Sequence, residues 1–253
     1  MSKKSFLGYD RPLLTAMLQA YTPGRVEELL ELCRSEGADA FGMQFCRMKD
    51  QYKSRETYKR LFDLAGDLPV YVTNYRQGEN EGKSDDDLAA GLLELAECGA
   101  TLCDVMGDMF DKQDDEMARD EAAIEKQMRL IDEIHARGAE VIMSSHIFRF
   151  TPAERVMEIA LEQKRRGADI CKIVSGADSM EQQIENLRIV NMLKEKLGVP
   201  FLFLSAGECS ILRRIGGELG CCMYLCVHEY DELATPTQPL LRCVKAIRDN
   251  INI

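Results

Sequence analysis

Short apolar runs alternate with longer amphipathic stretches from residue 12 to near the end of the chain, and this rhythm restricts the fold more than any other feature. The runs are Leu13–Leu18, Ala40–Phe45, Val70–Tyr75, Leu102–Met106, Val141–His146, Ile170–Ser175, Phe201–Ser205 and Met223–Val227. Each is nearly continuous in apolar residues, the pattern of parallel strands covered on both faces. The stretches between them carry helix ends. Thr22-Pro23 and Thr151-Pro152 read as a cap followed by proline at the first helical position, and Ser84-Asp85-Asp86-Asp87 puts acids in a first turn. Gly99, Gly138, Gly167 and Gly198 close helices shortly before the next strand.

Eight strand–helix units result, the last helix running from about Gln238 to Ile251. Such alternation fits a doubly wound open sheet or a closed barrel. The count of eight, and the lack of GxGxxG at the first helix, favour a single-domain α/β fold, a (β/α)8 TIM barrel over residues 1–253. The 253-residue length agrees, since one such barrel takes about 250 residues.

Charge narrows the partners. Lys and Arg number 32 against 43 Asp and Glu, a net charge of −11, which disfavours nucleic acid and anionic membrane. No run approaches the ~20 apolar residues of a membrane span, and the start lacks a signal-like segment, so a cytoplasmic protein is expected. The ten cysteines fall mostly within apolar elements and include no CxxC pair, so they read as reduced, buried thiols. Cys221-Cys222 is the one pair where oxidation is a concern. No His/Asp/Glu spacing supplies a metal site, and no cofactor is expected.

A barrel carries its active site at the carboxyl ends of its strands, so polar residues there are the informative ones. Strand 5 ends Ser144-Ser145-His146, strand 6 carries Lys172 and strand 7 ends at Ser205. A lysine desolvated inside a barrel loses basicity and attacks carbonyls, the requirement for imine catalysis. The bland reading pairs Lys172 with a buried acid or lets it snorkel to an edge. His146, on the neighbouring strand, is suited to moving protons near neutrality. His135 reads as a solvated helix residue, and His228 as either a lid or a loop residue.

Val141-Ile-Met-Ser-Ser-His-Ile-Phe-Arg-Phe-Thr-Pro152, Gly167-Ala-Asp-Ile-Cys-Lys-Ile173, Ser205 through Arg214-Ile-Gly-Gly-Glu-Leu-Gly220, and Ala234-Thr-Pro-Thr-Gln238 together resemble the type I 3-dehydroquinate dehydratases along essentially the whole chain. The resemblance implies a lysine imine at Lys172, with His146 removing a proton and assisting loss of water. It further implies that Arg214 and Gln238, on the seventh unit and on a lid near 228–238, bind a small keto acid. Relatives are commonly dimers, so a homodimer is compatible with it.

The departures cluster in the expected pocket. The family's Glu-x-Arg on strand 2 falls on Gly42-Met43-Gln44, its strand-4 glutamate on Met106, the acid after the histidine on Ile147 and the lid serine on Ala234. Arg76 stands near the family's strand-3 arginine. The substrate-binding set is then Arg214, Gln238, Gln44, Arg76, Ser205 and Met106. Three functions are in play: dehydration of 3-dehydroquinate, the same imine chemistry (elimination or aldol cleavage) on a less hydroxylated keto acid, and a non-catalytic barrel with a binding role. With the orienting acid replaced, no residue of the sequence is assigned to fix the His146 tautomer; Tyr75, Asp104 and Asp108 are the candidates to compensate.

Overall fold

In a computed structural model, residues 4–251 are described. Eight parallel strands, β1 (Leu13–Leu18), β2 (Ala40–Gln44), β3 (Val70–Thr73), β4 (Leu102–Met106), β5 (Glu140–His146), β6 (Ile170–Gly176), β7 (Phe201–Ala206) and β8 (Met223–Cys226), alternate with helices. The principal helices are α1 (Pro23–Ser35), α2 (Arg55–Leu64), α3 (Asp85–Cys98), α4 (Glu121–Ala136), α5 (Ala153–Arg165), α6 (Met180–Lys196), α7 (Leu212–Ile215) and α8 (Leu241–Asn250). Neighbouring strands pair in chain order from β1 to β7, and β8 pairs with β1. The backbone N–H of Cys222 donates to Phe201 O at 2.9 Å, and the Cys221 thiol lies between Phe203 N and Phe203 O at 3.5 Å each, so this seam is bridged partly by a side chain. The expected (β/α)8 barrel is the fold observed.

Sequence rules account for the local ends. Thr22 accepts from Arg25 N with Pro23 behind it, and Ser84 and Asp87 form a reciprocal capping box. Gly99, Gly138, Gly167 and Gly198 all take positive φ. Three expectations shift. The α5 cap is Pro152, because the Thr151 hydroxyl is engaged with Arg149 O and its N–H with Ser175 Oγ. β3 stops at Thr73, leaving Tyr75 in the loop beyond. α8 starts at Leu241 because residues 238–240 are drawn toward β8 by Val227 N to Pro239 O and Leu241 N to Val227 O.

Alternation along each strand sorts the interior from the helix layer. Met17, Gln44, Tyr71, Met106, His146, Lys172, Val174, Leu204 and Leu225 all line one cavity at the carboxyl ends. Their period-two neighbours Leu13, Ala40, Leu102, Ile142, Ile170, Leu202 and Met223 therefore fill the barrel beneath it, and all are buried. Cys103, Cys171 and Cys226 have the opposite parity and face the helices, where burial pushes the Cys103 and Cys171 thiols up to about 12. Cys221 is likewise raised to about 12 by burial, which removes the thiolate that oxidation requires. Among the described residues no helix is long and apolar enough to cross a membrane, and no group of three potential metal-binding side chains occurs.

Candidate active site

Lys172 is 3 % exposed and lines the cavity at the carboxyl ends of the strands. It donates to Tyr75 Oη at 2.8 Å, Asp104 Oδ2 at 2.9 Å and Tyr71 Oη at 3.0 Å. Both phenols in turn donate to Asp104 Oδ2, and Ser144 Oγ donates to Asp104 Oδ1 at 2.5 Å. The paired-lysine reading is thus realised within the cavity itself, so pairing and placement at a reactive site coexist here. Burial opposes the charge on Asp104, yet the Lys172 ammonium and surrounding donors hold its carboxyl below the usual range. Burial, aided by the Asp104 charge, keeps both phenols well above the ordinary tyrosine value, hence protonated.

Tyr71 has its place because residue 42 is glycine. A Cβ there would collide with Met17 Sδ and Cε and press on Tyr71 Cδ1 at 3.1 Å. Met17 and Tyr71 therefore occupy the volume beside strand 2 that a larger side chain would claim.

His146 is fixed by a residue that the sequence did not single out. Glu116 Oε2 accepts from His146 Nδ1 at 2.9 Å and from His146 N at 2.7 Å. A carboxylate only accepts, so the proton sits on Nδ1 and the Nε2 lone pair is left to act as a base. Glu116 lies in the long loop before α4 at φ 48°, and Phe148, whose ring stacks on the imidazole at 5.9 Å, has φ 57°. Left-handed backbone at two non-glycine residues flanking one histidine is local strain held in place at a functional position. Asp108, by contrast, accepts from Arg76. Replacing Glu116 with glutamine is expected to lower kcat roughly 10–100-fold while KM moves little. Steady-state kinetics check this; a falling affinity at constant kcat would place Glu116 in binding instead.

The expected substrate-binding residues divide. Gln44, Met106 and Gln238 line the cavity, and Gln238 Oε1 accepts from Gln19 Nε2 at 3.0 Å. Arg76 also lines it, but Asp85 takes its Nε and Nη2 at 2.7 Å each and Asp108 its Nη1 at 2.8 Å, so its guanidinium is already engaged. Arg214 is exposed and outside the cavity lining; one turn of a four-residue helix turns its neighbour Arg213 inward instead. Ser205 is not part of the lining either. Its hydroxyl donates to Cys209 O at 2.9 Å, and its carbonyl accepts from Arg213 Nε at 2.6 Å, so it positions the arginine. Arg213 is 6 % exposed, and among the described residues no carboxylate pairs with it. Burial alone drops its guanidinium to about 10. His228 lies near Glu36, outside this cavity, and His135 pairs with Asp169 at 2.8 Å.

The cavity has a volume of about 750 Å³, and Glu232–Pro236 and Gln238 form part of its lining. A caged lysine, a carboxylate-backed histidine and an unpaired inward arginine at the carboxyl mouth of a (β/α)8 barrel define a site of the amine-and-base type, suited to carbonyl substrates bearing an anion. The type I 3-dehydroquinase model matches residues 16–248, and the chain belongs to that family. It is 30 % identical over 221 residues to a 3-dehydroquinate dehydratase of Listeria monocytogenes serotype 4a (strain HCC23), covering 86 % of this chain and 84 % of the relative. The 3-dehydroquinate dehydratase of Geobacillus kaustophilus HTA426 superimposes with TM-score 0.81 at 17 % identity, covering 97 % of this chain and 94 % of the other. The type I enzyme of Clostridium difficile, solved with covalently modified comenic acid, gives 0.80 at 16 %, covering 96 % and 93 %.

Proposed function

We propose that the chain is a hydro-lyase converting 3-dehydroquinate to 3-dehydroshikimate through an imine on Lys172. The observation that carries this reading is Lys172 and His146 sharing one cavity, with the His146 Nδ1 bound by Glu116 and Nε2 left as a base. Arg213 takes the substrate carboxylate as a fork, and Gln238 and Gln44 meet its hydroxyls. The Lys172 amine condenses with the ketone and releases water, and the cationic imine acidifies the adjacent carbon. His146 Nε2 removes that proton. The imidazolium then protonates the β-hydroxyl, which leaves as water while the carbon–carbon double bond forms, and hydrolysis of the imine frees the product and the lysine. The segment 228–238 serves as a lid, and the enzyme works in the cytoplasm as a homodimer. Family membership over 16–248 supports this substrate; neither a less hydroxylated keto acid nor a non-catalytic barrel is favoured.

Incubation with 3-dehydroquinate is expected to produce the enone absorbance of dehydroshikimate. Borohydride added during turnover is expected to leave a covalent adduct on Lys172. Folded protein giving neither signal sinks the proposal.

A further inference from the structure

We infer that Tyr75, backed by Asp104, is the proton carrier that moves two protons from the Lys172 nitrogen to the substrate's carbonyl oxygen while the imine forms. The inference rests on the imine reading of Lys172. An ammonium has three protons and a protonated imine nitrogen keeps one, so two must leave nitrogen, and both end on the oxygen that departs as water. The structure offers a continuous path for them: Lys172 Nζ donates to Tyr75 Oη at 2.8 Å, and Tyr75 Oη donates to Asp104 Oδ2.

The steps balance. A proton passes from the ammonium through Tyr75 to Asp104, leaving neutral amine and protonated carboxyl. The nitrogen lone pair forms the C–N bond as the carbonyl π pair moves to oxygen. Tyr75 protonates that oxygen and is reprotonated by Asp104. The nitrogen, now carrying two protons, sends one along the same path, and Tyr75 delivers it to the hydroxyl, which leaves as water while the C=N bond forms. Asp104 ends as carboxylate, and no other reactant is consumed.

Three observations select Tyr75 for this role. Tyr71 makes the same bonds but lies within β3 and is 0 % exposed, whereas Tyr75 lies past the strand end and is half-buried, on the side from which substrate arrives. The imidazole of His146 packs edge-on against the Tyr75 ring at 5.3 Å, and among the described residues no hydrogen bond joins it to Lys172. His146 is thereby kept for carbon chemistry, and the phenol handles nitrogen and oxygen. Both phenols keep their protons at neutral pH, so Tyr75 is a donor at rest.

The test is single-turnover mixing of the full chain with 3-dehydroquinate, quenched by borohydride at increasing times, with the Lys172 adduct quantified by mass. Tyr75→Phe keeps the ring against His146 and is expected to slow adduct build-up by roughly 100-fold while reaching the same final yield. Build-up at the wild-type rate overturns the relay alone. No adduct in the wild-type protein overturns the imine reading and the relay with it. Should Tyr75→Phe fail to fold, 3,5-difluorotyrosine at position 75 preserves the hydroxyl and makes it more acidic. The alkaline limb of the trapping rate is then expected to move to lower pH, and an unmoved limb overturns the relay.

Discussion

Lys172→Met is expected to abolish turnover, by roughly 10⁴-fold or more, and to destabilise the fold by about 3 kcal/mol. The first loss follows from removing the amine proposed to form the imine. The second follows from stranding Asp104, which is 1 % exposed, without its cation. Breaking a buried pair from one side costs about 3–5 kcal/mol, and the lower end applies because Tyr71, Tyr75 and Ser144 still donate to the carboxylate. The deficit has a pH signature. In the intact protein Asp104 is held below its ordinary value despite burial, the largest influence on it; without Lys172, burial is expected to prevail and raise it above the unfolded value. The folded variant then binds more protons than its unfolded chain, so its stability falls as pH rises and recovers on acidification. Denaturant titrations at several pH values, read beside kcat, check both halves. A variant as stable as wild type at neutral pH would show that the cage contributes no ion pairing.

Arg213→Met is expected to separate the two quantities. It should raise KM so that kcat/KM falls roughly 100-fold, the worth of about 3 kcal/mol of charge-assisted bonds to a carboxylate. Yet stability should stay level or rise, because among the described residues the buried guanidinium has no counter-charge. The sign follows from its depressed value of about 10: the unfolded chain holds the proton more tightly, so the penalty is fully present below pH 10 and eases only as pH climbs past it. In the proposed function the substrate carboxylate supplies the missing charge. Arg214→Ala, on the exposed side of α7, should leave kcat/KM within about 2-fold of wild type. Equal losses in the two variants would refute the assignment of the inward arginine.

Much of this was legible in the sequence, for reasons that differ by residue. Lys172 and His146 stand out because each interrupts an apolar strand, and strand parity carries a single polar residue inward with little ambiguity. Asp104 interrupts β4 in the same way, and an acid and a lysine at matching depth were a signal for the ion pair. Tyr71 gave none, since an aromatic on a buried strand reads as packing until its hydroxyl finds a partner, and Tyr75 was a candidate for orienting His146 but not for meeting Lys172. Glu116 was hidden more deeply. It reaches His146 from a loop through a left-handed turn, and neither period two nor period 3.6 governs such a segment. The Arg213–Arg214 ambiguity has a similar origin: α7 is a single turn, too short for periodicity to say which of two adjacent arginines points inward.

Gly42 ties the shape of strand 2 to the lysine's cage. In relatives the resemblance places a glutamate at this point of strand 2, but here the space is filled by Met17 and Tyr71. A lone Gly42→Glu substitution would meet both side chains and displace a phenol from the lysine's cage before it added any contact of its own. Met17 and Tyr71 would have to change first, and the second of those changes removes one of the three acceptors of Lys172. Gly42, Met17 and Tyr71 are therefore a single packing unit, and strand 2 accepts a larger side chain at this point only if the lysine's cage is rebuilt with it.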